Sequence, residues 1–230
     1  MTLGLFVTGT DTGVGKTVVA AMLLRALTGA GYRVVGMKPV SAGLASGETV
    51  HADVRSLVAA GNVDAPLADV NPYSFASPIA PELAARAAGT GIELDRIVAA
   101  YARLAAMADA IVVEGAGGAL VPLTARTDML DIPARLGLPV LLVVGVRLGC
   151  LNHALLSSLA IAARGLRLAG WVANRIDPGM IEVAANIAAL VDRLPAPLLA
   201  DVAWCANGAP AIAFDSAALS KLGFGIPVPR

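Results

Sequence analysis

The sequence predicts an α/β fold, a parallel sheet with helices on both faces. Short apolar runs alternate with segments of helical composition along most of the chain. The stretches between them are short, as connections in such sheets are. The first run, residues 3–7, leads into Thr8-Gly9-Thr10-Asp11-Thr12-Gly13-Val14-Gly15-Lys16-Thr17 and then into a good helix former, residues 18–27, that stops near Gly29.

Strand, glycine-rich turn and helix start together make an anion site. The first backbone N–H groups of a helix lack internal partners, and its dipole favours negative charge there. Lys16 would reach the outer phosphates of a nucleotide, and the Thr17 hydroxyl would hold Mg²⁺. The expected class is therefore a P-loop NTPase-like parallel sheet, one domain over residues 1–230. The spacing departs from the usual loop: the first glycine is Gly9 rather than position 10, so the loop is one residue longer.

The remaining elements follow in order. Residues 33–38 read as a strand ended by Pro39, which disfavours helix at Lys38 and leaves that lysine at the strand's end. Residues 40–50, rich in Gly and Ser, read as a loop, and 52–60 as a short helix carrying Asp53. Residues 61–77 read as irregular, with a turn at Asn71-Pro72. Ser77-Pro78 would open a helix with Pro81 in its first turn. Residues 94–107 have a helical period, and 110–114 form a strand running into Gly115-Ala116-Gly117-Gly118. Residues 128–136 read as helix, 139–145 as the most apolar strand and 152–165 as helix. Residues 168–174 and 198–202 read as strands, with a helix over 180–194 between them.

Composition narrows the function. The formal net charge is zero, so nothing suggests capture of nucleic acid or of an anionic membrane. The hydrophobic fraction is 57% and the mean hydropathy +0.74. The longest uncharged stretch, about 148–163, contains Asn152, His153, Ser157 and Ser158 and is shorter than the roughly 20 apolar residues of a membrane span. Alanine and short Val/Leu runs suit a buried parallel sheet, and a second subunit would cover further apolar surface. The chain opens directly on a strand, which predicts no targeting segment. Cys150 and Cys205 have neither metal nor disulfide spacing and are expected as buried, reduced thiols in a cytoplasmic protein.

In such sheets ligands bind beyond the carboxyl ends of the strands. Residues 8–17, Lys38, Glu114, 147–152 and Asn174 all fall there, which predicts one composite site. Glu114, near the P-loop threonine, stands where a carboxylate holds Mg²⁺, directly or through water. Asp53, early in a helix, is equally well explained as a partner of the helix dipole. A lysine closing a buried strand, as Lys38 does, is costly unless an anion meets it; the alternative is a stem that snorkels to solvent. With Lys16 it would put two positive charges around one site, more than one magnesium nucleotide needs. His153 reads as structural. Asn174 reads either as a reader of a base edge or as a turn residue.

These residues, taken in order, resemble dethiobiotin synthetase, the ATP-dependent family that closes a ureido ring in biotin synthesis. The resemblance runs from the first strand to about Trp204. It rests on residues 7–17, Lys38-Pro39-Val40, Asn71-Pro72-Tyr73, Val113-Glu114-Gly115-Ala116-Gly117-Gly118, Val144-Gly145-Val146 with residues 148–153, Gly170-Trp171-Val172-Ala173-Asn174 and Pro195-Ala196-Pro197-Leu198-Leu199. The family's longer P-loop matches the early Gly9.

The resemblance implies that 7,8-diaminopelargonate, CO₂ and ATP react through a carbamate and a carbamic–phosphoric anhydride to give dethiobiotin, ADP and phosphate. It implies Thr17, Asp53 and Glu114 as ligands of Mg²⁺, and Lys16 and Lys38 as catalytic cations at the carbamate and the transferring phosphoryl group. Gly13, Val14, Gly15 and Val18 would bind the nucleotide together with Gly115, Ala116 and Gly117. Asn174, Arg175, Ala203, Trp204 and Cys205 would hold the adenine end. Thr12, Ser41 and Ala42 would meet the substrate. The backbone of Gly149, Cys150, Leu151 and Asn152 would receive its carboxylate across a homodimer interface. Two departures stand out: Ala42 occupies a position where relatives often carry a hydroxyl, and Ala203 one where a proline is common. A partitioning ATPase of the deviant P-loop kind would carry a lysine at Asp11, and a cobyrinate-type amide synthase would need a further glutaminase domain.

Overall fold

The structure, a computed structural model, describes residues 2–206 and 214–225. In chain order the elements are β1 (Leu3–Gly9), α1 (Lys16–Gly29), β2 (Val34–Met37), β3 (Val40–Ala42), α2 (Ala52–Ala60), α3 (Leu67–Val70), β4 (Tyr73–Phe75), α4 (Pro81–Ala87), α5 (Leu94–Ala105), β5 (Ala110–Glu114), α6 (Asp131–Leu136), β6 (Val140–Val146), α7 (Cys150–Ala163), β7 (Leu168–Arg175), α8 (Val183–Val191), β8 (Leu198–Val202) and α9 (Ser216–Lys221). Six strands form one sheet in the order β2-β5-β1-β6-β7-β8, and every pairing within it is parallel.

The alternation of side chains along each strand divides the core in two. On one face Leu5, Val7, Val112, Leu141, Val143 and Val172 meet α1 through Val19, Leu23, Leu24 and Leu27. On the other, Phe6, Val35, Met37, Ile111 and Val113 meet α5 through Ile97, Ala100 and Leu104. Beside them Leu142, Val144, Trp171 and Ala173 meet α7 and α8. Strands buried on both faces read as continuous apolar runs, which is how the sequence shows them.

Several expected boundaries move. The stretch 40–50 is not all loop: Val40–Ala42 pairs in parallel with Tyr73–Phe75, inside the stretch expected to be irregular, which also holds the short helix α3. Asn71 ties the two strands, its amide donating to Lys38 O at 2.6 Å and to Tyr73 O at 3.0 Å. The helix expected from Ser77 starts at Pro81, whose ring suits the first helical position. The helix α6 begins at Asp131 rather than 128, because Asp128 and Asp131 are spent on backbone N–H groups of the entering turn. Beyond the family resemblance, Asp215 caps α9 by accepting from Ala218 N at 2.7 Å, and Ala218 and Leu219 pack onto the α1 side of the core. Cys150 is buried as expected, but Cys205 is exposed, since the chain leaves the sheet after β8.

Two helices pack closely on the sheet at Gly36 of β2. A Cβ there would stand 2.8 Å from Leu57 Cβ and 2.9 Å from Leu24 Cδ1, so α2 and α1 close over a strand with no side chain at that point. Gly36→Ala is expected to destabilise the protein by about 1–3 kcal/mol through overpacking. Urea unfolding followed by circular dichroism checks this, and an unchanged midpoint would mean that the two helices can give way.

Candidate functional site: a phosphate loop and a buried charge cluster

The long loop closes on itself because of its glycines. A Cβ on Gly9 would lie 2.6 Å from Val14 Cγ2, and one on Gly15, which has φ +87°, would lie 2.1 Å from Asn174 Nδ2. Early placement of Gly9 therefore lets the loop fold back over the end of β1. Asn174 donates to Val14 O at 2.8 Å and so holds the loop from β7. The turn after β5 lies against the loop from the other side: a Cβ on Gly118 would be 3.6 Å from Gly9 O. Lys16 is buried and donates to Asp11 O at 2.8 Å. Burial first, and the Lys38 charge second, push its ammonium down to about 8.

Sheet register builds the second part. Met37 of β2 lies beside Val113 of β5, so the next residues, Lys38 and Glu114, emerge side by side. Both are almost wholly buried, at 3% and 0% exposure. Lys38 Nζ lies 2.6 Å from Glu114 Oε1, 2.9 Å from Asp53 Oδ2 and 3.2 Å from Gly115 O. The anions that meet this buried lysine are thus the chain's own carboxylates. Burial alone would push Lys38 down, but Glu114 and Asp53 outweigh it and leave the ammonium above the ordinary lysine value. Burial likewise pushes Asp53 up, yet the Lys38 charge and hydrogen bond, helped by His51 and Thr17, leave it below the usual carboxylate range.

Thr17 donates to the same Glu114 Oε1 at 2.8 Å, which joins the phosphate loop to the cluster. Glu114 Oε2 is buried without a hydrogen-bond partner among the described residues. A hydroxyl, two carboxylates and one uncommitted buried oxygen suit a hard cation. Among the described residues no three His, Cys, Asp or Glu side chains gather, so a metal here would complete its shell from nucleotide and water, as Mg²⁺ commonly does.

A second uncapped helix start faces the same edge of the sheet. The helix α7 opens, like α1, on a glycine in the left-handed region, Gly149, with no side-chain cap. Its first N–H groups, at Cys150, Leu151 and Asn152, are the ones a helix cannot satisfy along its own axis, although Cys150 N reaches Arg147 O. Arg147 in turn pairs with Asp11 of the phosphate loop at 2.5 Å.

The other expected residues fall as follows. Thr12 and Gly13 are exposed on the loop, and Val18 is half-buried. Val18, Asn174, Arg175, Ala203, Trp204 and Cys205 line one cleft beside α1, and Arg175 is clamped to Asp201 through Nε at 2.8 Å and Nη2 at 2.5 Å. Gly115 is buried, and Ala116 and Gly117 are half-buried in the turn after β5. The Ser41 hydroxyl is buried and donates to Asn71 Oδ1 at 3.0 Å, while Ala42 packs on the core. Sequence reasoning missed two links: His51, which caps α2 through Nδ1 and lies 3.7 Å from Asp53, and the Asp11–Arg147 pair. The histidine just before a helix was the available signal for the first; nothing local signals the second.

A family model described as an AAA domain matches residues 3–209. ATP-dependent dethiobiotin synthetase BioD of Aromatoleum aromaticum is 50% identical over 208 residues, which span 90% of this chain and 92% of that protein. The proteins of the same name from Ralstonia nicotianae and Nitrosospira multiformis are 51% and 53% identical, over 86% and 85% of this chain and 87% and 86% of their own lengths. Among solved structures, the MinC:MinD cell division complex of Aquifex aeolicus matches with a TM-score of 0.58 at 15% identity, covering 99% of this chain and 98% of that one. The septum site-determining protein MinD of Pyrococcus horikoshii, complexed with Mg-ADP, matches with a TM-score of 0.55 at 19% identity, covering 96% and 94%. Those two likenesses carry the P-loop NTPase fold and nothing finer. Identity of about one residue in two over nine-tenths of the length carries more: this chain belongs to the ATP-dependent dethiobiotin synthetase family.

Proposed function

We propose that this chain makes dethiobiotin from 7,8-diaminopelargonate, CO₂ and ATP at the edge of the sheet where the phosphate loop, Lys38 and α7 converge. One amine of the substrate bonds to CO₂ and loses a proton, giving a carbamate. A carbamate oxygen then bonds to the γ-phosphorus while ADP leaves, forming the carbamic–phosphoric anhydride. The second amine bonds to the carbonyl carbon, loses a proton and expels phosphate, which closes the ring. The observation that carries this reading is the second buried lysine: binding a nucleotide needs Lys16, whereas Lys38, held in the free protein by Asp53 and Glu114, would serve an additional anion once a metal takes those carboxylates. Lys16 and Lys38 would stabilise the carbamate and the moving phosphoryl group. Thr17, Asp53 and Glu114 would hold Mg²⁺, which supplies charge neutralisation on the phosphates. The cleft lined by Asn174, Arg175, Trp204 and Cys205 would take the adenine, and the N-terminus of α7 the substrate carboxylate.

We further infer a homodimer. Leu148, Asn152, Leu156 and Leu159 recur at near-helical spacing around α7, and the three leucines are 92%, 56% and 67% exposed. A second copy seated on this stripe would cover it and would bring Asn152 to the partner's site. The described residues hold no helix long and apolar enough to cross a membrane, which fits a cytoplasmic enzyme.

Three outcomes are expected. Purified protein given diaminopelargonate, bicarbonate and MgATP should yield dethiobiotin by mass spectrometry, and Lys38→Leu should lower that yield by roughly two orders of magnitude while ATP affinity by calorimetry stays within a few-fold. Equal losses in both would make Lys38 a plain nucleotide ligand, and no product from wild type would sink the assignment.

ATP binding should take up protons at high pH. The Lys16 ammonium titrates near 8 in the free protein, and a bound triphosphate favours its charged form. Calorimetry in buffers of different ionisation enthalpy should show uptake approaching one proton at about pH 9 and almost none at about pH 7. Uptake that does not change with pH would remove Lys16 from the phosphate.

Leu159→Glu should give a monomer by light scattering at micromolar concentration. It should lose most dethiobiotin formation but keep ATP binding. A variant that stays dimeric and fully active would move the interface elsewhere.

A further inference from the structure

We propose that Lys38 has two stations: it is the resident cation of Asp53 and Glu114 in the metal-free protein, and it gives up both carboxylates when magnesium is bound. This rests on the assignment of Thr17, Asp53 and Glu114 to the metal. An ammonium has three donors and no acceptor. Lys38 spends all three, on Asp53 Oδ2 at 2.9 Å, Glu114 Oε1 at 2.6 Å and Gly115 O at 3.2 Å. So held, it has no donor for a carbamate or a phosphate. Its proposed catalytic role therefore requires that its carboxylates be taken by another cation first.

The carboxylates that hold it are the same two that face the metal. Glu114 Oε1 already accepts from both Lys38 and Thr17. A divalent ion drawing on that oxygen and on Asp53 would meet the ammonium at close range, where like charges repel strongly at the effective dielectric of a protein. Mg²⁺ also demands near-ideal geometry, which an intervening ammonium obstructs. The metal-free cluster gains from the arrangement: without Lys38, the buried Glu114 and the partly exposed Asp53 would keep only Lys16 as a nearby cation. One lysine thus neutralises the cluster in the absence of substrate and becomes available once metal nucleotide has arrived. Release of Lys38 by the metal orders the reaction, because the carbamate meets a free ammonium only after the metal has entered.

The alternative geometry would use Glu114 Oε2, which is buried without a partner among the described residues, and would leave Lys38 in place. Titration of nucleotide-free protein with Mn²⁺, read by electron paramagnetic resonance, separates the two. Lys38→Met should bind Mn²⁺ at least tenfold more tightly than wild type, with Glu114→Gln weakening binding in either background. Equal affinity in wild type and Lys38→Met, with Glu114→Gln still weakening it, would overturn the exchange and leave the metal site standing. No effect of either substitution would overturn both. If circular dichroism shows that Lys38→Met does not fold, the wild type decides. The chain's lysines are Lys16, Lys38 and Lys221 alone, so labelling with acetic anhydride can be followed at each by mass spectrometry. Lys38 should react at least threefold faster with saturating Mg²⁺ than without it, against Lys221 as the exposed reference. An unchanged rate would overturn the proposal.

Discussion

A lysine ammonium lies at the bottom of the sheet's ligand edge with two carboxylates around it, and the surrounding structure answers to its burial. An unpaired buried charge costs several kcal/mol, so the end of β2, the start of α2 and the end of β5 must converge on one point. Local devices secure each arrival. The backbone of Lys38 is held from both sides, its N–H donating to Val70 O at 2.8 Å and its carbonyl accepting from Asn71 at 2.6 Å. Asp53 is fixed by the His51 cap at the first turn of α2. Glu114 is fixed by register, with Val7 beside it on β1 and Val113 following Val112 in step with Met37. Such a cluster is a poor source of net stability, since desolvation offsets the attraction. What it supplies is a defined geometry among three elements distant in sequence.

Sheet order makes this convergence possible. β5 lies between β2 and β1, although it comes long after both in the chain. That insertion sets Lys38 and Glu114 on neighbouring strands and places the turn after β5 against the phosphate loop. On the other side of β1, β6 and β7 deliver Arg147 and Asn174, which hold the same loop through Asp11 and Val14. The loop is therefore gripped from both flanks at the point where strand order changes direction, which is where open α/β sheets place their ligands.

The sheet and its ligand edge were legible because both rest on local signals. Apolar runs such as 110–114 mark buried strands wherever they fall, and the glycines around Lys16 mark a backbone that must bend sharply. The small sheet of β3 and β4 was not legible, because three-residue strands bounded by Pro39 and Pro72 offer no periodicity to read. Nor was exposure of Cys205, which depends on where the chain turns after β8 rather than on residue type. In the site, Lys38 was recognisable as a charge needing a partner. That its partners are Asp53 and Glu114 follows from a register between distant strands and from the seat of α2, which no single sequence encodes locally. Asn174 shows the same limit: its amide is turned to the loop carbonyl of Val14, a contact spanning 160 residues.

The balance of charge at the cluster bears on its chemistry. Lys16 and Lys38 are matched by Asp53 and Glu114, so these four side chains have no net attraction for an anion. Backbone N–H groups of the loop and the dipole of α1 favour phosphate, but Glu114, tied to Thr17 at 2.8 Å, adds repulsion at the same place. A plain nucleotide-binding loop would be better without that carboxylate. Its presence makes physical sense when a divalent cation is bound with the nucleotide: the carboxylates then change from a liability to ligands. The ammonium they release would supply the positive charge that a carbamate beside a triphosphate requires. Two lysines with two acids thus describe a site that holds little attraction for a bare anion and gains positive charge against the phosphates only through the divalent metal that enters with the nucleotide.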